Sequence, residues 1–294
     1  MSLIYKAILK TVIYADIFDY PLTYEEIQRY LIEIDLKKRE NKYLLNENKF
    51  ISLLESHKEI ERKEGFYFLK GRNQLIPIRK RRKIYSEEKI TILKNLLKNL
   101  RHVKTIKMVG VTGSLAVDNA DKEDDIDILI VTSQGLLWWT RLITTLITEI
   151  TGKRRHPNDI DLKGKFCLNM FIDTNNLSVP ECERNIYTAH EVAQMVPIHD
   201  LENTYELFIN KNIWVKNYLP NAFDNKKSAN IKKNPGTTNL TCVFEYIIKH
   251  LQLLYMRRHR TVEVIRDGMI RFHVYDHGTE IIKAYQDRLM KYKI

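Results

Sequence analysis

Cysteine is scarce in this chain: three in 294 residues, Cys167, Cys182 and Cys242, odd in number, far apart and without a CxxC pair. Neither a disulfide framework nor a zinc knuckle fits that spacing. No stretch reaches the ~18 consecutive apolar residues that a membrane span needs, and the nearest candidate, LLWWTRLITTLITEI (136–150), is cut by Arg141. The N-terminal MSLIYKAILK lacks the uninterrupted apolar core and small-residue cleavage site of a secretory signal. Internal repeats and long low-complexity tracts are missing too, and the histidines, including His273 and His277 in FHVYDHGTE, show no convincing metal-ligand spacing. These absences set the expectation of a cytoplasmic protein with no membrane partner. Acidic residues are also in deficit, 37 against 48 Lys plus Arg, for a net charge of +11. That balance favours an anionic partner such as a nucleotide, RNA or DNA.

What is present divides the chain in three. Over 3–18, Ile4, Ala7, Ile8, Val12 and Ala15 recur at helical spacing until Tyr20-Pro21. Thr23 then reads as an N-cap, with Glu26 completing a capping box before IQRYLI, and a third amphipathic stretch lies near 49–56. IERKEGFYFLKGR (60–72) reads as two short strands reversing at Glu64-Gly65. Three helices and a basic hairpin resemble a winged-helix domain, drawn at residues 1–75; whether it touches nucleic acid or only other proteins stays open. A basic helix over 78–100, with five consecutive cations from Arg79 to Lys83, leads into the second part, 76–180. Such a run is usually a solvated helix face, although its position also suits a phosphate-facing role. From Thr105 the pattern turns to strand in TIKMVGVTG (105–113), DIDILIVT (125–132) and GKFCLNMFID (164–173), with a helix over 136–150 between the last two. That order makes an α+β core and not a bundle. The third part, 181–294, reads as helical, over 187–196, 213–219 and, after a polar linker, through Lys293.

The chemistry concentrates in VTGSLAVDNADKEDDIDILIVT (111–132). Residues two apart on a strand share a face, so Asp125 and Asp127 stand side by side while Ile126 and Ile128 enter the core. Two carboxylates on one rigid face repel each other unless a cation lies between them, and hard oxygen ligands suit Mg²⁺ or Mn²⁺. A divalent ion held there clamps a triphosphate and stabilises the attacking and leaving oxygens of phosphoryl or nucleotidyl transfer. Gly113-Ser114 is the complement: glycine lets the backbone approach a phosphate, and the amide and hydroxyl that follow donate to its oxygens. The competing reading, an acidic surface loop ahead of an apolar strand, leaves the two isoleucines unexplained.

Gly113-Ser114, then ten residues, then Asp125-Ile126-Asp127 followed by ILIVT resembles the signature of the DNA polymerase β-like nucleotidyltransferase superfamily, with the spacing of its minimal nucleotidyltransferase branch. TVIYADIFDYPLT at the start and AHEVAQM after the core are similar to segments of a prokaryotic group that joins a winged-helix-like N-terminus to this core, a likeness that carries no substrate with it. The resemblance implies a mixed sheet flanked by helices, with Gly113 and Ser114 on the nucleotide phosphates and Asp125 and Asp127 on the metals. It also implies a third carboxylate on the next core strand, activating the acceptor hydroxyl. Asn169 is expected at that position, and asparagine can ligate but cannot accept a proton as a base. Asp173, further along the strand, reads as a strand-end cap. Lys122 and Arg141, with Arg154 and Arg155, are candidates to face the triphosphate, each otherwise a surface cation; Trp138, Trp139 and Met170 read as core. The implied activity is Mg²⁺- or Mn²⁺-dependent transfer of a nucleoside monophosphate from an NTP, ATP foremost, to a hydroxyl acceptor. An RNA or tRNA end is favoured, with protein and small-molecule acceptors open. The alternative is a nucleic-acid-binding or regulatory protein whose core is catalytically degenerate, with Asn169 marking the lost chemistry.

Overall fold

In the computed structural model, which describes residues 3–36, 38, 41, 46–156, 159–223, 239–257, 264–271 and 277–294, the chain opens with α1 (Leu3–Asp16), α2 (Tyr24–Arg29) and α3 (Glu47–Glu55). The antiparallel hairpin of β1 (Ile60–Lys63) and β2 (Phe66–Leu69) follows. Ten of the fourteen residues of α1 are buried, which makes it an internal strut and not a surface helix with one apolar stripe. The capping box forms: the Thr23 hydroxyl accepts from the Glu26 amide while the Glu26 carboxylate accepts from the Thr23 amide. Glu64 and Gly65 reverse the hairpin with φ of 52° and 82°, the left-handed pair that two-residue hairpin turns require. Leu22 and Tyr67 exchange backbone hydrogen bonds of 2.9 and 2.7 Å, which fastens the hairpin beside α2.

The remainder runs α4 (Leu75–Leu100), β3 (Ile106–Val111), α5 (Gly113–Ala116), β4 (Ile126–Thr132), α6 (Leu137–Ile150), β5 (Phe166–Asp173), α7 (Ile186–Gln194), β6 (Val196–Asp200), α8 (Thr204–Lys211), α9 (Asn239–Arg257), β7 (Val264–Arg266), β8 (Met269–Arg271) and α10 (His277–Lys291). Six strands pair in the order β6-β3-β4-β5-β8-β7. Only β4 and β5 run parallel, joined through α6 as a parallel crossover requires. The sheet is therefore mixed and flanked by helices, as expected. The third part, expected to be mainly helical, also supplies three of the six strands of this sheet. β7 and β8 are three residues each, too short for alternation to register, and β6 begins directly after α7 and carries Pro197 at the sheet edge, where a missing N–H is tolerated. Among the described residues no helix is long and apolar enough to cross a membrane.

Alternation along β4 assigns the two faces. Ile126, Ile128 and Ile130 pack with α4, α6 and α9, whereas Leu129 and Val131 pack with α1 and α7. The second cluster continues without interruption into Ile8, Leu31, Phe50 and Tyr67 of the N-terminal segment. Residues 1–75 thus share their core with the sheet. On the other face, the Glu245 carboxylate of α9 accepts from the amides of Trp138 and Trp139 at 2.5 and 2.9 Å, satisfying orphan donors at the start of α6.

The cationic run of α4 is not a solvated face throughout. Arg79 is 7% exposed; its guanidinium lies 3.7 Å over the Tyr20 ring and donates to Glu26 at 2.9 Å and to the Val117 carbonyl at 2.6 Å. Arg82 donates to the Phe18 carbonyl and to Asn119 Oδ1 at 3.4 and 3.3 Å. Both arginines tie the N-terminal segment to the loop that follows α5. Lysine cannot reproduce a planar group that stacks and donates in two directions. Arg79→Lys is expected to lower stability by about 2 kcal/mol, and replacing exposed Lys83 by alanine by no more than about 0.5 kcal/mol, measured by urea unfolding; equal effects would refute the clamp.

Candidate functional site

β4 brings the motif acids to the sheet face that carries Leu129 and Val131, at the strand's N-terminal end. Asp125 has a side chain 12% exposed and accepts from Arg155 Nη1 at 2.5 Å. Arg155 is itself held by backbone bonds to the start of β5: its amide donates to the Phe166 carbonyl, and the Phe166 amide donates to that of Lys153. Opposite Asp127 in the parallel register stands Cys167, whose thiol hydrogen-bonds to Asp127. Ligand atoms of Asp125, Asp127 and Cys167 all lie within 4.8 Å of one another. Asn169 falls elsewhere, in a register shift between the Asp127–Cys167 and Leu129–Met170 pairs, with its Oδ1 buried and unpartnered. Cysteine, and not Asn169, is the residue paired with the second motif acid. The irregularity displaces the count by which a regular strand would have been read.

Burial, followed by the neighbouring Asp125 charge, pushes the Asp127 carboxyl up to about 7. Burial and the same two carboxylates push the Cys167 thiol far up. Asp127 Oδ1 is buried and accepts no hydrogen bond. An orphaned carboxylate oxygen beside a second carboxylate is a donor set that fits Mg²⁺ or Mn²⁺.

The glycine-serine turn meets these acids. Gly113 has φ +64°, and a Cβ at this position would lie 4.0 Å from Asp127 Oδ2, so the turn runs alongside the carboxylate in a conformation that side chains resist. Ser114 is exposed, with its Oγ donating to Asp124 at 3.4 Å, and the first-turn amides of α5 have no helical partners.

The expected cations are dispersed. Arg141 is corrected: it is buried at 9% and donates to Gln252 on α9, on the sheet face opposite Asp127, because α6 covers the isoleucine side of β4. Lys122 is exposed and lines a cavity of about 190 Å³ with Lys89, Lys153 and Lys163, without a contribution from Gly113 or Ser114. Arg154 pairs with Glu149 at 2.9 Å. Asp173 accepts from the Asn175 amide and the Asn176 side chain at 3.0 and 2.8 Å, a strand-end cap as expected. His273 lies outside the described residues; His277 opens α10.

A larger cavity, about 370 Å³, adjoins Gly113 and Ser114 and takes much of its wall from Tyr14, Phe18, Tyr20 and Tyr30 of the N-terminal segment. α7 adds His190 and Glu191. Burial lowers His190 to about 4, and its neutral ring stacks on Tyr14 at 3.8 Å. Burial, then the Asp127 charge, pushes Glu191 up to about 7. No local pattern marks these partners beyond the AHEVAQM segment itself, since only the tertiary path of α7 carries Glu191 to the cavity beside the turn.

A glycine-serine turn packed against paired carboxylates on the neighbouring strand of a mixed sheet defines a core for transferring phosphorus groups. Residues 91–162, from α4 through α6 and the loop beyond, match the family model described as a nucleotidyltransferase domain. This segment is the nucleotidyltransferase domain of the chain, a core of the polymerase β-like superfamily. Searches of curated proteins and of solved structures returned no match.

The two raised carboxyls fix the sign of the pH response. Both titrate above their unfolded values, so at these two sites the native chain holds more protons than the unfolded chain between about pH 4 and 7, and the single proton that buried His190 loses on folding offsets only part of that below about pH 6.5. Stability without metal is expected to fall as pH rises through that window and to level off above it. Asp127→Asn should flatten the slope, and Mg²⁺ should raise the melting temperature at pH 7.5 more than at pH 5; thermal scans across pH check both, and an unaltered slope in the variant would contradict the buried ionisation.

Proposed function

We propose that the chain transfers a nucleoside monophosphate from an NTP, ATP foremost, to a hydroxyl acceptor. One observation supports this most strongly: Gly113, at φ +64°, lies so close to the Asp-x-Asp pair that a Cβ placed on it would be 4.0 Å from Asp127 Oδ2. Asp125 and Asp127 would hold Mg²⁺ or Mn²⁺, which supplies charge neutralisation of the triphosphate and Lewis acidity when bound. Ser114 and the adjoining amides orient the phosphate chain. Arg155 pairs with Asp125 at 2.5 Å and brings a cation to the same rim. The acceptor oxygen bonds to the α-phosphorus, and pyrophosphate leaves.

A specific observation also favours a second reading. Cys167 stands beside Asp127 where the family's third carboxylate is expected, and a core of this kind could hold nucleotide for regulation or for binding nucleic acid without transferring it. Incubation with Mg²⁺ and each α-phosphate-labelled NTP, together with total RNA, protein and small-molecule fractions of a cell extract, separates the two. Transfer is expected in the wild type and should fall at least about 10²-fold in Asp127→Ala. Nucleotide binding without transfer in any fraction would establish the second reading.

A further inference from the structure

Among the described residues the cavity beside Gly113 and Ser114 is lined by one carboxylate, Glu191, by His190 and His277, and by no lysine or arginine. Its volume, about 370 Å³, lies in the range of small-molecule sites, and its tyrosine rings offer apolar faces with polar tips, the usual composition of such sites. A phosphodiester chain entering it beyond the triphosphate held at Gly113 and Ser114 would meet no lysine or arginine among the described residues and would face Glu191, a pairing that electrostatics disfavours. The lysines lie instead around the separate cavity at Lys122, Lys153 and Lys163.

A second observation concerns the proton. The sheet position next to Asp127 holds Cys167 and not a carboxylate, so that position supplies no carboxylate base to the acceptor hydroxyl. Glu191 approaches the same centre from another direction: it lies on α7, which packs against α5, shares the cavity wall with Ser114, and feels the charge of Asp127. The carboxylate missing from the sheet is thus replaced by one on a helix.

We propose that this cavity is the acceptor site, that it takes a small, non-anionic alcohol or phenol, and that Glu191 is the proton acceptor for its hydroxyl. The assignment rests on the transfer reading above. The acceptor O–H gives its proton to the Glu191 carboxylate and its oxygen forms a bond to the α-phosphorus. The bond from that phosphorus to the bridging oxygen breaks, and its electron pair leaves with pyrophosphate. Glu191 is matched to this step, because a base is most useful when it titrates near the working pH.

The test measures two quantities on wild type, Glu191→Gln and Glu191→Asp. One is binding of Mg²⁺ with the α,β-methylene analogue of the preferred NTP; the other is transfer of α-phosphate label into the small-molecule fraction of a cell extract, with total RNA as a second arm. Label is expected in the small-molecule arm. Glu191→Gln should lower transfer about 10²-fold or more while nucleotide affinity changes less than about twofold, and Glu191→Asp should restore part of the rate, which a merely structural role would not require. Full transfer by Glu191→Gln overturns the base assignment. A nucleotide affinity that falls in step with rate makes the cavity a nucleotide pocket, and label confined to RNA removes the small acceptor. A wild-type chain that binds no nucleotide fails the transfer reading itself, and the assignment falls with it.

Discussion

One guanidinium holds the molecule's arrangement together. Arg79 reaches from the start of α4 into a contact where the Tyr20 ring, the Glu26 carboxylate and the Val117 carbonyl converge. The first two belong to the N-terminal segment and the third to the loop leaving the glycine-serine turn. A buried arginine is tolerable only if its charge is paired and its donors are used, so the contact fixes the relative placement of two segments that lie 53 residues before and 38 residues after Arg79. The tyrosine-rich wall of the large cavity depends on that placement, since α1 and the Tyr20 turn are set against Gly113 and Ser114 through it. The N-terminal helices therefore act as part of the site's container. Their three-helix-and-hairpin order alone says nothing of this use.

The acid pair shows how a fold retains charges that repel each other. Asp125 is neutralised by Arg155, which is itself anchored by the backbone ties between residues 153–155 and Phe166. Asp127 has no comparable cation, and one of its oxygens is left without a donor. Such asymmetry places the electrostatic deficit on a single atom, next to the glycine-serine turn. The sheet meets the cost of holding it through the surrounding burial of Ile126, Ile128 and Ile130. A site of this kind is poised to take up positive charge, which separates it from an ordinary surface ion pair.

Much of the core was legible because its signals are local. Alternation of Asp125 and Asp127 with isoleucine, and a glycine followed by serine at the end of a strand, specify a face and a turn without reference to the rest of the chain. The residue beside Asp127 was not legible, because the register between β4 and β5 is set by tertiary pairing: it puts Cys167 opposite Asp127 and leaves Asn169 in the irregularity that follows. Arg141 was misjudged for a different reason: helical periodicity says which residues share a stripe but not which side of the sheet the helix covers. β7 and β8 are too short to show a period. Glu191 and the tyrosine wall are products of packing between distant segments, so no window of sequence contains them.

The strand order carries a consequence for how the chain is made. β3 and β5 are interior strands, but their outer neighbours, β6 on one side and β8 with β7 on the other, all begin at residue 196 or later. A ribosome releasing the chain from the N-terminus exposes the motif strands well before either flank exists. Until the last third has been synthesised, both margins of the three central strands present unpaired backbone and apolar side chains, the condition under which nascent sheets associate with one another. The interval of greatest hazard for this protein is thus its own translation, and its length is set by the distance in sequence between the glycine-serine turn and Arg271.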